Sequence, residues 1–215
     1  MHLKRQKTPK NWPVTRKGTK YVVRGNFNLN SGIPILVLLR DQLKLAKNRK
    51  EVKKIISDKN ILINNKSVND EKNVVNLFDI VNLIPSKKYY QIALSEKGVF
   101  SSKEIEEKQA NHKISKIINK KTLKGKKIQL NLNDGINFIS DLKCNTNDSV
   151  LINLKTGKIE KCLPLKEKSN AVVFAGKHAG KEGIIQKILP KEKMIELESN
   201  KIKIHILIKQ IMVVE

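Results

Sequence analysis

The sequence predicts an α+β multi-domain protein: a basic N-terminal arm, a domain of two helices plus a small sheet, a central all-β domain and a small C-terminal barrel. Three features predict it, namely an acid-free start, one region of helical apolar spacing, and alternating apolar residues in the second half. Apolar residues form 39% of the 215 residues and aromatic residues only 4%, which favours several small cores. The predicted domain boundaries are residues 1–36, 37–100, 101–168 and 169–215.

The arm is most basic over residues 1–24, which contain eight Lys or Arg and no Asp or Glu. Pro9, Pro13 and Gly18 interrupt any helix there, so we expect the arm to order only against phosphate. Trp12 has two open interpretations, packing against the first domain or stacking on an exposed base or sugar. The residues expected to bind RNA are Lys4, Arg5, Lys7, Lys10, Trp12, Arg16, Lys17 and Lys20.

Residues 35–56 show the apolar spacing of two consecutive helices. Leucine and isoleucine recur at intervals of three and four from Ile35 to Leu45, which is the period of a helix with one buried face. Asn48 is predicted to cap the second helix, and Glu51, three residues further on, would complete a capping box.

The same helix pair is rich in cations. Acidic residues are few in this segment, whereas a merely solvated helical face usually mixes both signs. A rigid basic surface can meet phosphates at several points, so we expect it to bind RNA. The residues are Arg40, Lys44, Lys47, Arg49, Lys50, Lys53 and Lys54.

A small sheet is predicted to follow the helices. Its strands are expected at Ile61–Ile63, Asp79–Ile84 and Tyr89–Leu94, where β-branched and aromatic residues cluster. Asn64 and Asn65 form a turn pair whose side chains tolerate positive φ, which indicates a tight hairpin.

The central domain is predicted from a two-residue apolar period that begins after the charged stretch Lys103–Lys108. Apolar and polar residues alternate over residues 126–132, and Asn133-Asp134-Gly135 strongly predicts a hairpin turn. Residues 150–154 form a further strand before a turn at Thr156-Gly157. This segment therefore predicts a small all-β unit.

Residues 169–215 predict a third β unit. Short strands are expected at residues 171–174, 184–189 and 194–197, followed by a segment in which every second residue from Ile202 to Ile208 is isoleucine. Short strands at this spacing are typical of a small barrel.

A glycine-rich turn with Gly176, Gly180 and Gly183 joins the first two barrel strands and lets the backbone turn tightly. Its free backbone N–H groups and basic side chains are expected to bind a phosphate. It is not a P-loop, because only three residues separate Gly176 from Gly180 and Glu182 replaces the magnesium-binding hydroxyl. The basic side chains are Lys177, His178 and Lys181.

The charge balance points to a polyanionic partner. With 44 Lys or Arg against 20 Asp or Glu, the formal net charge is +24, and such a field attracts polyanions. A membrane is a poor fit, since apolar runs such as Ile33–Leu39 are far shorter than the roughly 20 residues of a spanning helix. No apolar stretch follows the basic start, so we expect no secretory signal and a cytoplasmic protein.

Catalytic and metal sites are not indicated. Cys144 and Cys162 lie 18 residues apart without a Cys-x-x-Cys pair, and the four histidines are scattered singly. We therefore expect buried, reduced thiols and no zinc site or other cofactor. His178 stands beside lysines and Asp134 before a glycine, so neither is a convincing catalytic group; we expect no enzyme.

Several blocks of sequence resemble the archaeal and eukaryotic small-subunit ribosomal protein family S4e. The matching blocks occur in the family's order along nearly the whole chain, and several are long, which makes the resemblance specific. They are His2–Arg5, Pro9–Pro13, Ile33–Asp41, Gly125–Gly135 and Gly176–Gly180.

The resemblance implies an S4-type RNA-binding domain over about residues 40–100, a central β domain and a C-terminal KOW-type barrel with an SH3-like fold. It implies a structural role in the small ribosomal subunit, with ribosomal RNA and neighbouring ribosomal proteins as partners and no small-molecule substrate. The archaeal type is expected, because the chain ends soon after the barrel whereas eukaryotic members carry a further basic tail. The sequence departs from the family pattern at Gly25–Asn30, Asn64-Asn65 and Phe174–Gly176.

Two alternatives from other functional classes remain at this point. An RNA-modifying enzyme could carry the same RNA-binding domain as an appendage, but it would need a catalytic domain. A free translation or transcription factor could use the C-terminal barrel on a protein partner. Conversion of an RNA substrate would support the first alternative, and sedimentation apart from ribosomal subunits would support the second.

Overall fold

The computed structural model describes residues 2–140, 142–190, 192–199 and 202–214, without the side chain of Lys126. It is mostly β structure with few helices, and the chain divides into two compact units. Unit 1 consists of Met1–Ser95 and Val99–Asn111, and unit 2 of Glu96–Gly98 and His112–Glu215. No helix among the described residues is both long and apolar enough to cross a membrane.

The N-terminal segment of unit 1 folds on itself. Strand β1 (Leu3–Lys4) pairs antiparallel with β2 (Tyr21–Val22), and Leu3, Val22 and Trp12 are buried. The Arg5 guanidinium ties the intervening loop by donating from Nε to the Thr19 carbonyl oxygen at 2.6 Å. The expectation of an arm that orders only against phosphate is therefore wrong, because these apolar side chains give the segment something to bury.

The first helical segment is shorter than predicted. Helix α1 (Ile35–Val37) continues into a π-helical turn (Leu38–Gln42) whose apolar residues are buried. The segment ends there because Lys44 adopts a left-handed φ of 54°, a conformation that cannot continue a right-handed helix. Leu45 is consequently 50% exposed, outside the helix to which its spacing assigned it.

Helix α2 (Arg49–Ser57) lies where predicted, with Val52 and Ile56 buried. Its start differs in detail from the predicted capping box. The Asn48 side chain makes no capping bond to the helix backbone and instead donates from Nδ2 to Glu51 Oε1 at 3.4 Å. Glu51 Oε2 accepts the backbone N–H of Lys47, the residue before the cap, at 2.7 Å, so the carboxylate reaches back as in a capping box but to the preceding residue.

Besides the β1–β2 pair, unit 1 contains a second two-stranded sheet and a five-stranded antiparallel sheet. The hairpin residues Asn64 and Asn65 have φ values of 50° and 63°, as the predicted turn requires. The small sheet pairs β3 (Gly32–Pro34) with β6 (Val74–Asn76). The larger one has the order β5-β4-β7-β8-β9, with β4 at Ile61–Ile63, β5 at Lys66–Ser67, β7 at Ile80–Leu83, β8 at Lys88–Leu94 and β9 at Phe100–Ile105.

Strand β9 spans one of the predicted domain boundaries. The division between residues 100 and 101 falls inside this strand, which pairs with β8 from Leu94↔Phe100 to Tyr89↔Ile105. The charged residues Lys103 and Glu104 are exposed on this edge strand. Charged residues are usual on edge strands, where they discourage pairing with other chains.

Unit 2 begins with a five-stranded antiparallel sheet of order β12-β11-β10-β13-β14. The long strand β10 pairs with β13 along its first half and with β11 along its second. The core between them contains Ile117, Leu130, Val150 and Ile152. The strands are β10 (His112–Thr122), β11 (Ile128–Leu132), β12 (Asn137–Ile139), β13 (Ser149–Asn153) and β14 (Lys158–Leu163).

The second sheet of unit 2 is a five-stranded half-barrel of order β18-β17-β16-β15-β19. Ile204 and Ile206 are buried as the alternation predicts, but Ile202, at the end of its strand, is 61% exposed. The SH3-like barrel stays a prediction for this segment. The strands are β15 (Asn170–Val173), β16 (Glu182–Leu189), β17 (Met194–Ser199), β18 (Ile202–Leu207) and β19 (Ile211–Val213).

Polar groups join the two sheets of unit 2. The Lys116 ammonium on β10 is buried and donates to the carbonyl oxygens of Ile211, at 2.7 Å, and of Ile208. Ser149 Oγ on β13 accepts the backbone N–H of Val213 at 3.0 Å. Because buried polar groups are costly unless they are hydrogen-bonded, these contacts fix the half-barrel against the sheet.

Candidate nucleic-acid interface

Helix α2 presents three lysines on its solvent side. Lys50, Lys53 and Lys54 are exposed, while Val52 and Ile56 on the opposite side are buried. Among the residues that the structure describes, no acid forms an ion pair with these three amines. We call Lys50, Lys53 and Lys54 the α2 lysine face. Its cations stand on a rigid helix and remain available to an external anion.

The two arginines predicted for this surface are already paired within the chain. Arg49 donates from Nε to Glu71 Oε1 and Oε2 at 2.8 and 2.9 Å, and this hydrogen bonding raises the pKa of Arg49 above its ordinary value. Arg40 donates to both carboxylate oxygens of Asp41, at 2.9 and 2.8 Å, which likewise raises the pKa of Arg40. Their charge is partly neutralised, so these arginines contribute less net attraction for phosphate than the free lysines.

Lys44 and Lys47 lie in the loop between the π-helical turn and α2, and both are exposed. The seven predicted cations of the helix pair therefore do not form one rigid face. Only Arg49, Lys50, Lys53 and Lys54 stand on α2. Periodicity alone placed the first helix too far along the chain.

The N-terminal segment carries exposed cations around a cleft. Lys4, Lys7, Lys10, Arg16, Lys17 and Lys20 are exposed. Arg5 is half-buried, and besides its bond to Thr19 it donates from Nη1 to the Thr15 carbonyl oxygen at 2.6 Å. Together with Lys10 and Arg16 it lines a cleft of about 470 Å³. The segment is thus an ordered basic surface rather than a loose arm.

Trp12 does not offer a ring for stacking. Its side chain is only 3% exposed, and its indole N–H donates to the carbonyl oxygens of Leu29 and Gly32 at 3.1 and 3.0 Å. The packing interpretation is the one that the structure supports. A base cannot stack on the ring in this conformation, because a stacking ring must present an open face to a base, and contact of Trp12 with RNA stays a prediction.

Backbone N–H groups of the glycine-rich turn are hydrogen-bonded to nearby carbonyl oxygens of the same chain. Gly176 and Gly180 have φ values of 89° and 88°, as the tight turn requires. The N–H groups of Ala179, Gly180 and Lys181 bind carbonyl oxygens inside the turn or on β15, so the expected free donors for a phosphate are absent at these three positions. The side chains of Lys177, His178 and Lys181 remain on the surface, Lys177 being the most exposed.

One basic set was missed by the sequence analysis. The hairpin between β10 and β11 exposes Lys121, Lys124 and Lys127. The signal was available, since residues 112–133 contain seven lysines and no Asp or Glu. The strand that carries these lysines was not predicted, because charged residues interrupt the alternation of apolar and polar residues along β10.

Asp134 has a second role beyond its turn. It accepts a hydrogen bond from Lys113 Nζ, and the two side chains are only 4% and 1% exposed. The carboxylate and ammonium therefore form a buried ion pair between the β11–β12 turn and the start of β10.

The cysteines are free thiols, Cys144 buried and Cys162 half-buried. Burial first, and then the neighbouring Cys144 and Asp148, raise the pKa of Cys162 to about 12, so this thiol stays protonated at neutral pH. Among the described residues, no group of three or more His, Cys, Asp or Glu side chains is arranged to hold a metal ion.

Comparisons with known proteins identify relatives that match most of the chain. Residues 34–81 match the S4 domain and residues 86–159 match the ribosomal family S4e. The small ribosomal subunit protein eS4 of Nanoarchaeum equitans is 34% identical over 192 residues, covering 87% of this chain and 82% of that protein. The protein of the same name from Archaeoglobus fulgidus is 38% identical over 189 residues, covering 86% of this chain and 79% of its own length.

A solved structure agrees with the fold. The crystal structure of the 30S ribosomal protein S4e from Thermoplasma acidophilum matches with a TM-score of 0.75 at 22% sequence identity, covering 86% of this chain and 95% of that one. At this identity the match supports the fold alone. Together with the sequence relatives, it confirms the resemblance predicted from the sequence blocks.

Proposed function

This chain belongs to the S4e family of small ribosomal subunit proteins, and we propose that its α2 lysine face binds the phosphates of folded small-subunit ribosomal RNA. As a member of that family it is a structural constituent of the small subunit in the cytoplasmic ribosome, where it supports translation. The family is one of ribosomal structural proteins and not of enzymes.

The observation that carries the proposal is the contrast within the cationic set of unit 1. Arg40 and Arg49 are neutralised by Asp41 and Glu71, whereas the lysines of the α2 face are exposed. A helix surface that binds nothing usually pairs its charges with neighbours of opposite sign. Point charges on a helix anchored by buried residues suit phosphates, which fix position without requiring a base sequence.

The ion pair between Arg49 and Glu71 holds α2 in a fixed position. It joins the first residue of α2 to the segment before β6, which restrains the helix carrying the lysines. A restrained surface loses less conformational freedom on binding, so more of the electrostatic attraction remains as affinity.

Further contacts with RNA are proposed from the same reasoning. The N-terminal segment surrounds a basic cleft. The loop before α2 exposes further cations in unit 1, and the glycine-rich turn presents others in unit 2. The residues are Lys4, Arg5, Lys7, Lys10, Arg16, Lys17, Lys20, Arg40, Lys44, Lys47, Arg49, Lys177, His178 and Lys181. Neighbouring ribosomal proteins are proposed as additional partners.

The domain arrangement is also part of the proposal. We assign the S4-type RNA-binding domain to the two helical segments and the sheet through β9, the central β domain to the first sheet of unit 2, and a KOW-type, SH3-like barrel to the half-barrel strands. The N-terminal segment packs within unit 1, so it is treated as part of that unit.

Sedimentation with small subunits tests the proposed function. The chain should co-sediment with small subunits through a sucrose gradient at moderate salt, whereas a free factor should partition to the top. A variant with Lys50→Glu, Lys53→Glu and Lys54→Glu should be displaced at lower salt, because each reversal replaces attraction to a phosphate by repulsion.

The matched control reverses three other exposed lysines of unit 1, namely Lys87, Lys103 and Lys108. It changes the net charge by the same amount. If both variants are displaced equally, only total charge matters and the assignment to α2 fails. If the unchanged chain stays at the top of the gradient, the ribosomal role itself fails.

A further inference from the structure

The β10–β11 hairpin ends in a lysine cluster that the proposed function does not use. Of the lysines in residues 112–133, Lys113 and Lys116 are buried and Lys120 donates from Nζ to the Cys144 carbonyl oxygen. Among the lysines of this segment whose side chains the structure describes, the exposed ones are Lys121, Lys124 and Lys127. We call Lys121, Lys124 and Lys127 the hairpin-tip lysines.

The tip is an ordered turn with open space around it. Thr122 pairs with Ile128 at the end of the ladder, and the Leu123 N–H donates to the Lys127 carbonyl oxygen at 2.8 Å. Gly125 adopts a φ of 78°, and a Cβ built at this position would meet no atom within 4 Å. Among the described residues, space is therefore open beside Gly125.

The hairpin beneath the tip is anchored. Ile117 and Leu130 lie in the core of the sheet, and the bond from Lys120 to the Cys144 carbonyl ties the outer part of the hairpin to the following loop. The three exposed amines are thus presented by a fixed backbone, as the lysines on α2 are.

Charge is distributed unevenly along the sheet of β10. The strand has 11 residues, so its ends are separated by roughly 30 Å at about 3.3 Å per residue. At the other end, His112 pairs with Asn153, and Glu160 accepts from the Asn153 side chain at 2.7 Å and lies 3.1 Å from His112. An acid therefore lies at that end of the strand, whereas residues 121–127 of the tip contain no Asp or Glu.

We infer that the hairpin tip is a second RNA-docking surface, which binds backbone phosphates through Lys121, Lys124 and Lys127. The inference rests on the proposed function only in taking RNA as the polyanion. Ammonium groups contact phosphates as point charges and read no base sequence. The surface lies in unit 2, outside the residues that match the S4 domain, so it engages phosphates other than those bound by α2.

The test measures RNA affinity of the full chain at several salt concentrations, with transcribed small-subunit ribosomal RNA of Archaeoglobus fulgidus as the probe. Changing Lys121, Lys124 and Lys127 to Met should weaken binding about tenfold at moderate salt. It should also reduce the slope of log Kd against log salt by about 2 to 3, since each phosphate contact contributes about 0.9. Circular dichroism should be unchanged, because the three side chains are exposed.

The matched control changes Lys155, Lys158 and Lys166 to Met, which are also exposed and in unit 2. It should alter the affinity less than twofold. Equal losses from tip and control variants would overturn the inference. So would a tip variant that binds RNA normally but no longer associates with subunit proteins, since that result would assign the tip to an acidic protein partner.

A third variant separates this inference from the proposed function. Changing Lys50, Lys53 and Lys54 to Met should lower the salt slope independently, and combining all six changes should lower it by the sum. Loss of affinity in the α2 variant with none in the tip variant overturns the inference and leaves the proposed function intact. The opposite pattern supports the tip and contradicts the assignment to α2.

Discussion

The Arg49 guanidinium lies against the Glu71 carboxylate in a two-pronged ion pair, in which the glutamate side chain is 3% exposed and the arginine 57%. The pair links the start of α2 to the chain that leads into β6. Arg49 therefore holds α2 in place through Glu71, whereas the exposed lysines of α2 present the proposed RNA surface.

Changing Arg49 to Met should destabilise unit 1 by about 2 kcal/mol, because it leaves a buried carboxylate without its charged hydrogen-bond donor. Urea unfolding followed by circular dichroism measures the change. The control is Lys53→Met on the same helix, which should change the stability by less than about 0.5 kcal/mol because the side chain is exposed. Equal stability of the two variants would mean that the Glu71 pair restrains nothing.

Changing Trp12 to Ala should destabilise unit 1 by about 3 kcal/mol, through lost burial and two unpaired carbonyl oxygens. The melting temperature of the free chain reports the effect. Phe27→Ala provides the control, since Phe27 is 47% exposed and should tolerate truncation. An unchanged melting temperature for Trp12→Ala would restore the disordered arm and the stacking role.

The Lys113–Asp134 pair should behave as a coupled unit. Asp134→Leu alone should cost about 3 to 5 kcal/mol, since it removes the carboxylate that pairs with a buried ammonium. The double change Lys113→Met with Asp134→Leu should recover most of that loss, because replacing both partners removes the unpaired charge. A double-mutant cycle in urea measures the coupling, and strictly additive losses would show that the two side chains do not interact.

The buried Lys116 predicts a specific dependence of stability on pH. Burial lowers its pKa to about 8 from the ordinary 10.5, so between these values the unfolded chain binds more protons than the native one. Stability contributed by this site should therefore rise with pH across that window, by at most about 1.4 kcal/mol per pH unit. The measurement is the stability of the native chain minus that of Lys116→Met at pH 7, 8 and 9.5.

The difference between the two proteins cancels other titrating groups, including Cys162. It should become more favourable to the native chain as the pH rises above about 8. A difference independent of pH would contradict the burial of a charged amine between the two sheets. A difference that falls with pH would mean that the ammonium is stabilised there rather than desolvated.

The parts of the fold that could be predicted are those in which turn residues and apolar periodicity match the observed burial. The Asn64-Asn65 turn, helix α2 and most strands of unit 2 lie where periodicity and turn residues placed them. Strand β10 was not predictable in the same way, because Lys113 and Lys116 occupy inward positions that an alternating pattern assigns to apolar residues. Their partners, Asp134 and backbone carbonyls, come from distant parts of the chain.

The candidate site was predictable in composition but not in detail. The sequence identified the cations of the S4-type domain, but not which of them are already paired. Arg49 meets Glu71 across 22 positions, a separation at which no local spacing rule applies. The folding of the N-terminal segment was not predictable for a related reason. Its tryptophan, Trp12, donates hydrogen bonds to the carbonyl oxygens of Leu29 and Gly32, and no local spacing rule indicates such distant partners.

The most direct measurement of the central claim is the acetylation rate of individual lysines, determined by mass spectrometry for the free chain and for native small subunits. Lys50, Lys53 and Lys54 should react readily in the free chain, be protected in the subunit, and regain reactivity after ribonuclease digestion of the RNA. The buried Lys113 should stay unreactive in the free chain and in the subunit, which verifies that unit 2 remains folded. If the three lysines on α2 react equally fast in the subunit and in the free chain, they do not bind ribosomal RNA and the account is contradicted.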